Sequence, residues 1–167
     1  ERDEDYQEPA ILYVTGGSSS SNNDFQNLLD WRKERGYTVY TASLTETGSS
    51  TTSIKNYIQN AYNTFDPPPE YVALVGDVDG SYTVPTYYNG WGHNSYGNEC
   101  EGDHPYCQLD GNDLLPEVFV GRMSIRTSSE LSTVSNKIIN YEKATYLENI
   151  EDYYEKAAMA GDPSTSG

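Results

Sequence analysis

The stretch AILYVTGGSSSSNNDFQNLLDWRKERGYTVYTA, residues 10–42, decides the fold of this chain. It begins with an apolar, β-forming run at residues 10–14 and ends with a second β-forming run at residues 37–42. Between the two runs, one helix face and its terminating glycine are marked by Phe25, Leu28, Leu29, Arg32 and Gly36. Strand, helix and strand in this order predict a right-handed crossover between two parallel strands.

The same alternation continues along the chain. A second helix is predicted by one-faced spacing that stops at consecutive prolines: Ile54, Tyr57, Ile58, Ala61, Tyr62, Phe65, Pro67, Pro68 and Pro69. Residues 71–75 and 117–123 are predicted to be the third and fourth strands, and Thr127-x-x-Glu130 is a capping box that opens another helix. The sequence therefore predicts an α/β fold with a parallel sheet of about four strands and helices on both faces.

Composition restricts the partners. The 167 residues include 10 basic and 26 acidic side chains, a net charge of −16, which disfavours nucleic acid and anionic membrane surfaces. No apolar run approaches the roughly 18 residues of a membrane span. The apolar content of 35% is low, which indicates either a core completed by sequence outside these residues or a very acidic surface. Residues 1–9 are predicted to be a leader or linker.

The segment between the third and fourth predicted strands is much longer than an ordinary connection, and such segments are usually functional. Carboxylates accumulate in and around it, and oxygen ligands of this kind suit Ca²⁺. The candidate metal ligands are Asp77, Asp103, Asp110, Asp113 and Glu117. The spacing is not that of an EF-hand, because Leu115 stands where its glycine belongs. Either an irregular metal site or a solvated acidic loop explains the pattern.

Two cysteines and two histidines, His93, Cys100, His104 and Cys107, share this segment. A Cys–His pair is the minimum for thiolate catalysis. A pair within one loop is disfavoured, however, because catalytic groups of parallel α/β enzymes normally come from the ends of different strands. The cysteines form either a local disulfide or two free thiols, and they are too few for a structural zinc site.

The turn at Gly16-Gly17 precedes a predicted helix, where backbone N–H groups are able to bind phosphate. It lacks the Gly-Lys-Ser/Thr ending of a P-loop and a three-glycine dinucleotide pattern. A plain connection between strand and helix is favoured over a flavodoxin-like nucleotide binder.

Several motifs occur in an order that is more specific than any one of them. They are Leu29-Asp30-Trp31-Arg32-x-x-x-Gly36, Leu74-Val75-Gly76-Asp77 with Val84-Pro85, Asp103-x-x-Tyr106-x-x-Leu109-Asp110-Gly111-Asn112-Asp113-x-x-Pro116-Glu117-Val118-Phe119-Val120-Gly121-Arg122, and Lys137-Ile138-Ile139-Asn140-Tyr141-Glu142. Together they resemble the gingipain-type cysteine peptidases, from about residue 10 to the end of the chain.

The resemblance implies a caspase-like catalytic domain made of two subdomains. Residues 10–155 correspond to the first, and residues 156–167 to the truncated start of the second, its partner within the same polypeptide. The family's catalytic histidine follows a Gly-His-Gly sequence, and its nucleophilic cysteine lies further on. Neither motif occurs here, so no catalytic residue is assigned, and the fragment is expected to be inactive.

The resemblance also implies a secreted or surface-bound endopeptidase that acts on proteins or peptides and binds calcium. It favours Asp77, Asp113 and Glu117 as calcium ligands, with Asp103 and Asp110 as looser candidates. The rival interpretation is a non-catalytic module of the same fold, a calcium-stabilised scaffold that serves adhesion or secretion.

Overall fold

The protein is described here by a computed structural model that covers residues 8–88, 102–111 and 113–144. Its strands are β1 (Ala10–Thr15), β2 (Thr38–Ser43), β3 (Tyr71–Val75) and β4 (Phe119–Met123). They form one parallel sheet in the order β2-β1-β3-β4. The helices are α1 (Asn23–Glu34), α2 (Leu44–Thr47), α3 (Thr51–Thr64) and α4 (Ser128–Glu142). The predicted α/β fold is confirmed.

The core has two layers, one on each face of the sheet. On one face Leu12, Val14 and Leu74 pack with Ile54 and Ile58 of α3. On the other face, the buried cluster contains Ile11 and Val75 of the sheet, Phe25 and Leu28 of α1, and Leu131 of α4. All six residues of β1 are buried, as a central parallel strand between two helical layers requires.

Helix caps join α1 to α4. Asn22 Oδ1 accepts the N–H of Phe25, 2.9 Å away, and so caps α1. Its Nδ2 donates to the carbonyl and the hydroxyl of Ser128 at 3.0 and 2.8 Å. The predicted capping box at Thr127 and Glu130 is present and begins α4. The two helices therefore start from a shared polar contact beside the carboxyl end of β1.

The structure adds one element to the sequence-based expectation and moves the start of another. The short helix α2 was not predicted; it forms because the Ser43 and Glu46 side chains make a second capping box directly after β2. The fourth strand begins at Phe119 rather than at residue 117. The N–H of Glu117 instead bonds the Cys107 carbonyl at 2.9 Å, which attaches residue 117 to the preceding loop.

Some sequence-based predictions concern residues outside the described ranges. They are the leader up to residue 7, His93, Cys100 and residues 156–167. None of the helices within the described ranges is long and apolar enough to cross a membrane.

Candidate functional site

The guanidinium of Arg122 is the centre of a polar network beside the sheet. Its Nε and Nη2 bind the two Asp103 carboxylate oxygens, each at 2.7 Å. Nη1 donates to the carbonyls of Gly76 and Val84 at 2.8 and 2.7 Å, and Nη2 donates to that of Pro85 at 3.1 Å. The side chain is only 10% exposed. The planar fork of an arginine thus joins the end of β3, residues 84–85 and Asp103.

Tyr106 extends this network into the core. It is fully buried, and its hydroxyl donates to the Pro85 carbonyl at 2.7 Å. Its ring meets the ring of Tyr87 edge to face, with centroids 5.0 Å apart. Burial raises the pKa of the Tyr106 phenol well above its usual value. Thr86 Oγ1 adds a hydrogen bond to Asp103 Oδ1 at 2.9 Å. The described parts of the segment between β3 and β4 (the insertion) are therefore fixed against the sheet.

Gly76 allows residues 82–84 to pass close to the end of β3. A Cβ at this position would overlap the carbonyl oxygen of Tyr82, and the residue has φ of +152°. Only glycine lets residues 82–84 pass this close to the strand end. The glycine in Leu74-Val75-Gly76-Asp77 is therefore required by backbone approach.

Asp77 lies just beyond the carboxyl end of β3 and pairs with a cation. Its Oδ2 accepts from Arg126 Nε at 2.6 Å, and its Oδ1 accepts from the Val78 N–H at 2.9 Å. Arg126 also contacts Asp79 at 2.7 Å. The hydrogen bond from Arg126, more than any other contact, lowers the pKa of the Asp77 carboxyl below its usual value.

The loop before β4 holds the other acidic candidates. Glu117 Oε2 accepts the N–H groups of Leu109 and Asp110 at 2.5 and 3.1 Å, and these bonds lower the pKa of the Glu117 carboxyl. Asp110 Oδ1 accepts from the Gly111 N–H, and Asp113 Oδ1 accepts from the Leu115 N–H, both at 2.9 Å. One oxygen of each carboxylate therefore organises the backbone of this loop.

These carboxylates do not converge on one point. Asp77 follows the carboxyl end of β3, whereas the loop of Asp110, Asp113 and Glu117 precedes the amino end of the neighbouring parallel strand β4. A five-residue strand is about 16 Å long, and Ca²⁺ ligands lie within roughly 2.6 Å of the ion. Both oxygens of Asp103 bind Arg122. Across residues 8–88, 102–111 and 113–144, no three Asp, Glu, His or Cys side chains group as a metal site.

The described side chains therefore do not make a complete calcium site by themselves. Calcium binding stays a prediction, and only the loop of residues 110–117 keeps several candidate ligands in one place.

The structure brings one cysteine and one histidine together. Cys107 Sγ lies 3.6 Å from His104 Nδ1 and donates to the His104 carbonyl at 2.9 Å. The thiol is free but buried, with only 2% of Cys107 exposed, and burial raises its pKa. A substrate has no access to it, and a raised pKa opposes thiolate formation. This contact is structural; the proposed disulfide partner Cys100 lies outside the described residues.

The Gly16-Gly17 turn is covered rather than open to a ligand. A Cβ on Gly16 would meet the carbonyl oxygens of Tyr82 and Thr83, and one on Gly17 would meet that of Ser81. Carbonyl oxygens at this position repel a phosphate. The turn functions as a plain connection between β1 and α1.

Sequence reasoning found the carboxylates but missed the cations that pair with them, Arg122 and Arg126. A signal for Arg122 was available, because the residue sits in an otherwise apolar strand. A charge there requires a partner when the strand is buried.

Comparisons with known proteins identify the relatives of this chain. The sequence matches the family model described as Peptidase family C25 over residues 4–167. Lys-gingipain of Porphyromonas gingivalis is 29% identical over 159 residues, covering 92% of this chain and 8% of that protein. Gingipain R2 of the same species is 27% identical over 122 residues, covering 72% of this chain and 15% of that protein.

Solved structures show the same fold. A structure described as a protease matches with a TM-score of 0.68 and 27% identity, covering 82% of this chain. The Arg-specific cysteine proteinase gingipain R matches with a TM-score of 0.65 and 24% identity, covering 83% of this chain. The chain spans 29% of each of these two structures.

Proposed function

Because the chain belongs to peptidase family C25, we propose that it is the N-terminal subdomain of a secreted cysteine endopeptidase. The observation that carries the proposal is the family match along nearly the whole chain, on a sheet whose motif residues form one packed network around Arg122. Residues 10–155 belong to this subdomain, and residues 156–167 open the next one. Relatives named for Lys or Arg specificity suggest protein substrates cut beside a basic residue.

The catalytic histidine and cysteine of the proposal lie after residue 167. The Cys–His contact within the described residues has a buried thiol with a raised pKa, which is unsuited to attack a peptide bond. What this subdomain contributes is rigidity. Arg122 and Tyr106 fasten the described parts of the insertion to the sheet, and a catalytic pair needs such a fixed support.

The test compares the 167-residue chain with a longer product of the same gene. Each is incubated with fluorogenic peptides that carry Lys, Arg or Ala before the scissile bond. We expect no hydrolysis by the short chain, and hydrolysis after a basic residue by the longer one, abolished by iodoacetamide. Cys107→Ser should leave the longer protein active, whereas substitution of the downstream nucleophilic cysteine should inactivate it. An inactive longer protein with an intact fold contradicts the proposal.

A non-catalytic scaffold is the second candidate, because the contacts of the motif residues Gly76, Tyr106 and Arg122 hold the fold together and need no reaction. The sequence downstream separates the two candidates. A Gly-His-Gly followed by a later cysteine supports the peptidase, and a longer chain that lacks both supports the scaffold.

Calcium binding belongs to the same proposal. It is supported by the group of carboxylates before β4 and by the resemblance to the family, with remaining ligands from backbone carbonyls, water or residues outside the described ranges. Asp113 is a better test position than Glu117. Glu117 holds two backbone N–H groups, so its removal lowers stability whether or not calcium binds.

A further inference from the structure

Basic residues are missing from a long central stretch of this chain. Residues 56–121 contain neither lysine nor arginine, although about four would fall there at the chain's overall content of 10 in 167. The same stretch holds ten acidic residues, which is close to the number expected from the overall content of 26 in 167. The stretch is therefore depleted of one kind of charge rather than of charge in general.

Five of the basic residues lie inside regular elements. They are Arg32 and Lys33 of α1, Lys55 of α3, Arg122 of β4 and Lys137 of α4. A peptidase binds several residues of its substrate in an extended conformation, so a bond within a helix is cut only when the helix opens. The strand residue Arg122 is already extended, but its side chain is only 10% exposed and is bound to Asp103.

Two more basic residues lie at the ends of helices. Arg35 is the C-cap of α1, and Lys143 is the C-cap of α4. Both lie over the ring of Trp31, with Arg35 Cζ 5.8 Å and Lys143 Nζ 4.6 Å from the ring centroid. The specificity pocket of a peptidase has to take up the basic side chain, so each of them must first leave the tryptophan.

Arg126 is the remaining basic residue of the described ranges and lies between β4 and α4. Its side chain is 55% exposed, but its Nε binds Asp77 and Asp79 at 2.6 and 2.7 Å. Its backbone N–H donates to Glu130 Oε2 at 2.6 Å, beside the capping box of α4. Both the side chain and the backbone are therefore held by contacts that a peptidase would have to break.

The loop before β4 has the accessibility that the basic residues lack. Residues 113–116 are all exposed, and Leu114 and Leu115 are each 67% exposed. Exposed loops are the preferred sites of proteolytic cleavage. A lysine or arginine in this loop would be an accessible target, and the sequence has none there.

We propose that this arrangement protects the chain from peptidases that cut after lysine or arginine, including other molecules of the same protein. The inference rests on the proposed function, because an endopeptidase of that specificity meets copies of itself more than any other substrate while it is concentrated. Helix propensity accounts for lysines in α3 and α4. It does not account for a loop that keeps its acidic residues and has no basic ones.

Trypsin digestion of the folded 167-residue chain tests the placement. Leu114→Lys should be cut after residue 114 at least roughly tenfold faster than after any of the basic residues in the described ranges, because their bonds must first open. Leu114→Gln lacks the charge, and Leu115→Lys places the same charge before Pro116, where trypsin does not cut. Neither control should be cut in this loop. Equal rates at position 114 and at the native basic residues of the described ranges overturn the proposal.

The longer product of the same gene tests the protection itself. We prepare it as Leu114→Lys and as Leu114→Arg, with Leu114→Gln as the control. At least one of the two basic variants should cleave itself after residue 114, and iodoacetamide should prevent the cleavage, while the control stays intact. An active protein that leaves both basic variants intact overturns the self-protection and leaves the proposed function standing. A longer, folded protein without peptidase activity refutes both.

Discussion

Arg122→Met is the most informative single substitution in this chain. Methionine retains much of the side-chain length and removes all five hydrogen bonds of the guanidinium. The Asp103 carboxylate then faces the Gly76 and Val84 carbonyls without a cation. Folding removes each of these groups from water, and the hydrogen bonds of Arg122 compensate for the lost hydration.

The size of the loss follows from burial. Removing one partner of a buried, hydrogen-bonded ion pair costs about 3–5 kcal/mol. The Asp103 side chain keeps 20% exposure, so water recovers part of the solvation, and the lower end of that range applies. With a urea dependence of about 2 kcal/mol per molar, a loss of about 3 kcal/mol moves the unfolding midpoint down by about 1.5 M. A domain of this size usually has about 5–15 kcal/mol of stability, so the variant should still fold.

The assay is urea unfolding followed by circular dichroism at neutral pH. Arg126→Met is the matched control, because it removes an arginine that also binds carboxylates but is 55% exposed, and it should hardly move the midpoint. Arg122→Lys should fall in between, since an ammonium replaces the charge without the fork. Equal midpoints for Arg122→Met and Arg126→Met would refute the reasoning. If Arg122→Met fails to fold, Asp103→Asn, which keeps the side-chain shape, gives the same comparison.

Three further predictions follow from the site. In a Cys100→Ser chain, the remaining thiol of Cys107 should react slowly with a thiol reagent until denaturant is added; fast native labelling would contradict its burial. The folded-state pKa of Glu117 is depressed, so its contribution is present above the unfolded pKa of about 4.3 and is lost as pH falls through the folded value. Acid titration by circular dichroism should show that Glu117→Gln lacks this pH-dependent part. Calcium should raise the melting temperature of the unmodified chain and of Asp24→Ala, but not of Asp113→Ala; no rise in any of them contradicts a calcium site formed by this chain alone.

The sequence predicted the order of strands and helices because each element carries its own local pattern. The residues of β3 form an apolar run that ends at a glycine, and α4 opens with a capping box. Helix α2 has four residues, too few for any periodicity to show. The start of β4 was placed too early because Glu117 belongs to the loop through hydrogen bonds that run backwards along the chain.

The candidate site was less predictable, because its contacts join residues distant in sequence. Asp103 meets Arg122 across 19 positions, and Asp77 meets Arg126 across 49. Listing carboxylates identifies possible ligands and leaves their partners unknown. Their separation follows from topology, since a chain that leaves the carboxyl end of β3 must return to the amino end before it enters a parallel β4. Acids on either side of the insertion therefore lie at opposite ends of the sheet.

The residues that carry the resemblance to cysteine peptidases are thus explained by packing. Arg122 binds acceptors from three separate parts of the chain, and Gly76 and Tyr106 shape the same place. A change at any one of them leaves buried acceptors unpaired or backbone in collision, whether or not a reaction takes place nearby. A non-catalytic protein with this fold needs the same residues for the same reasons. The motif from Asp103 to Arg122 consequently identifies the scaffold, and by itself it does not distinguish a peptidase from a protein that kept the scaffold alone.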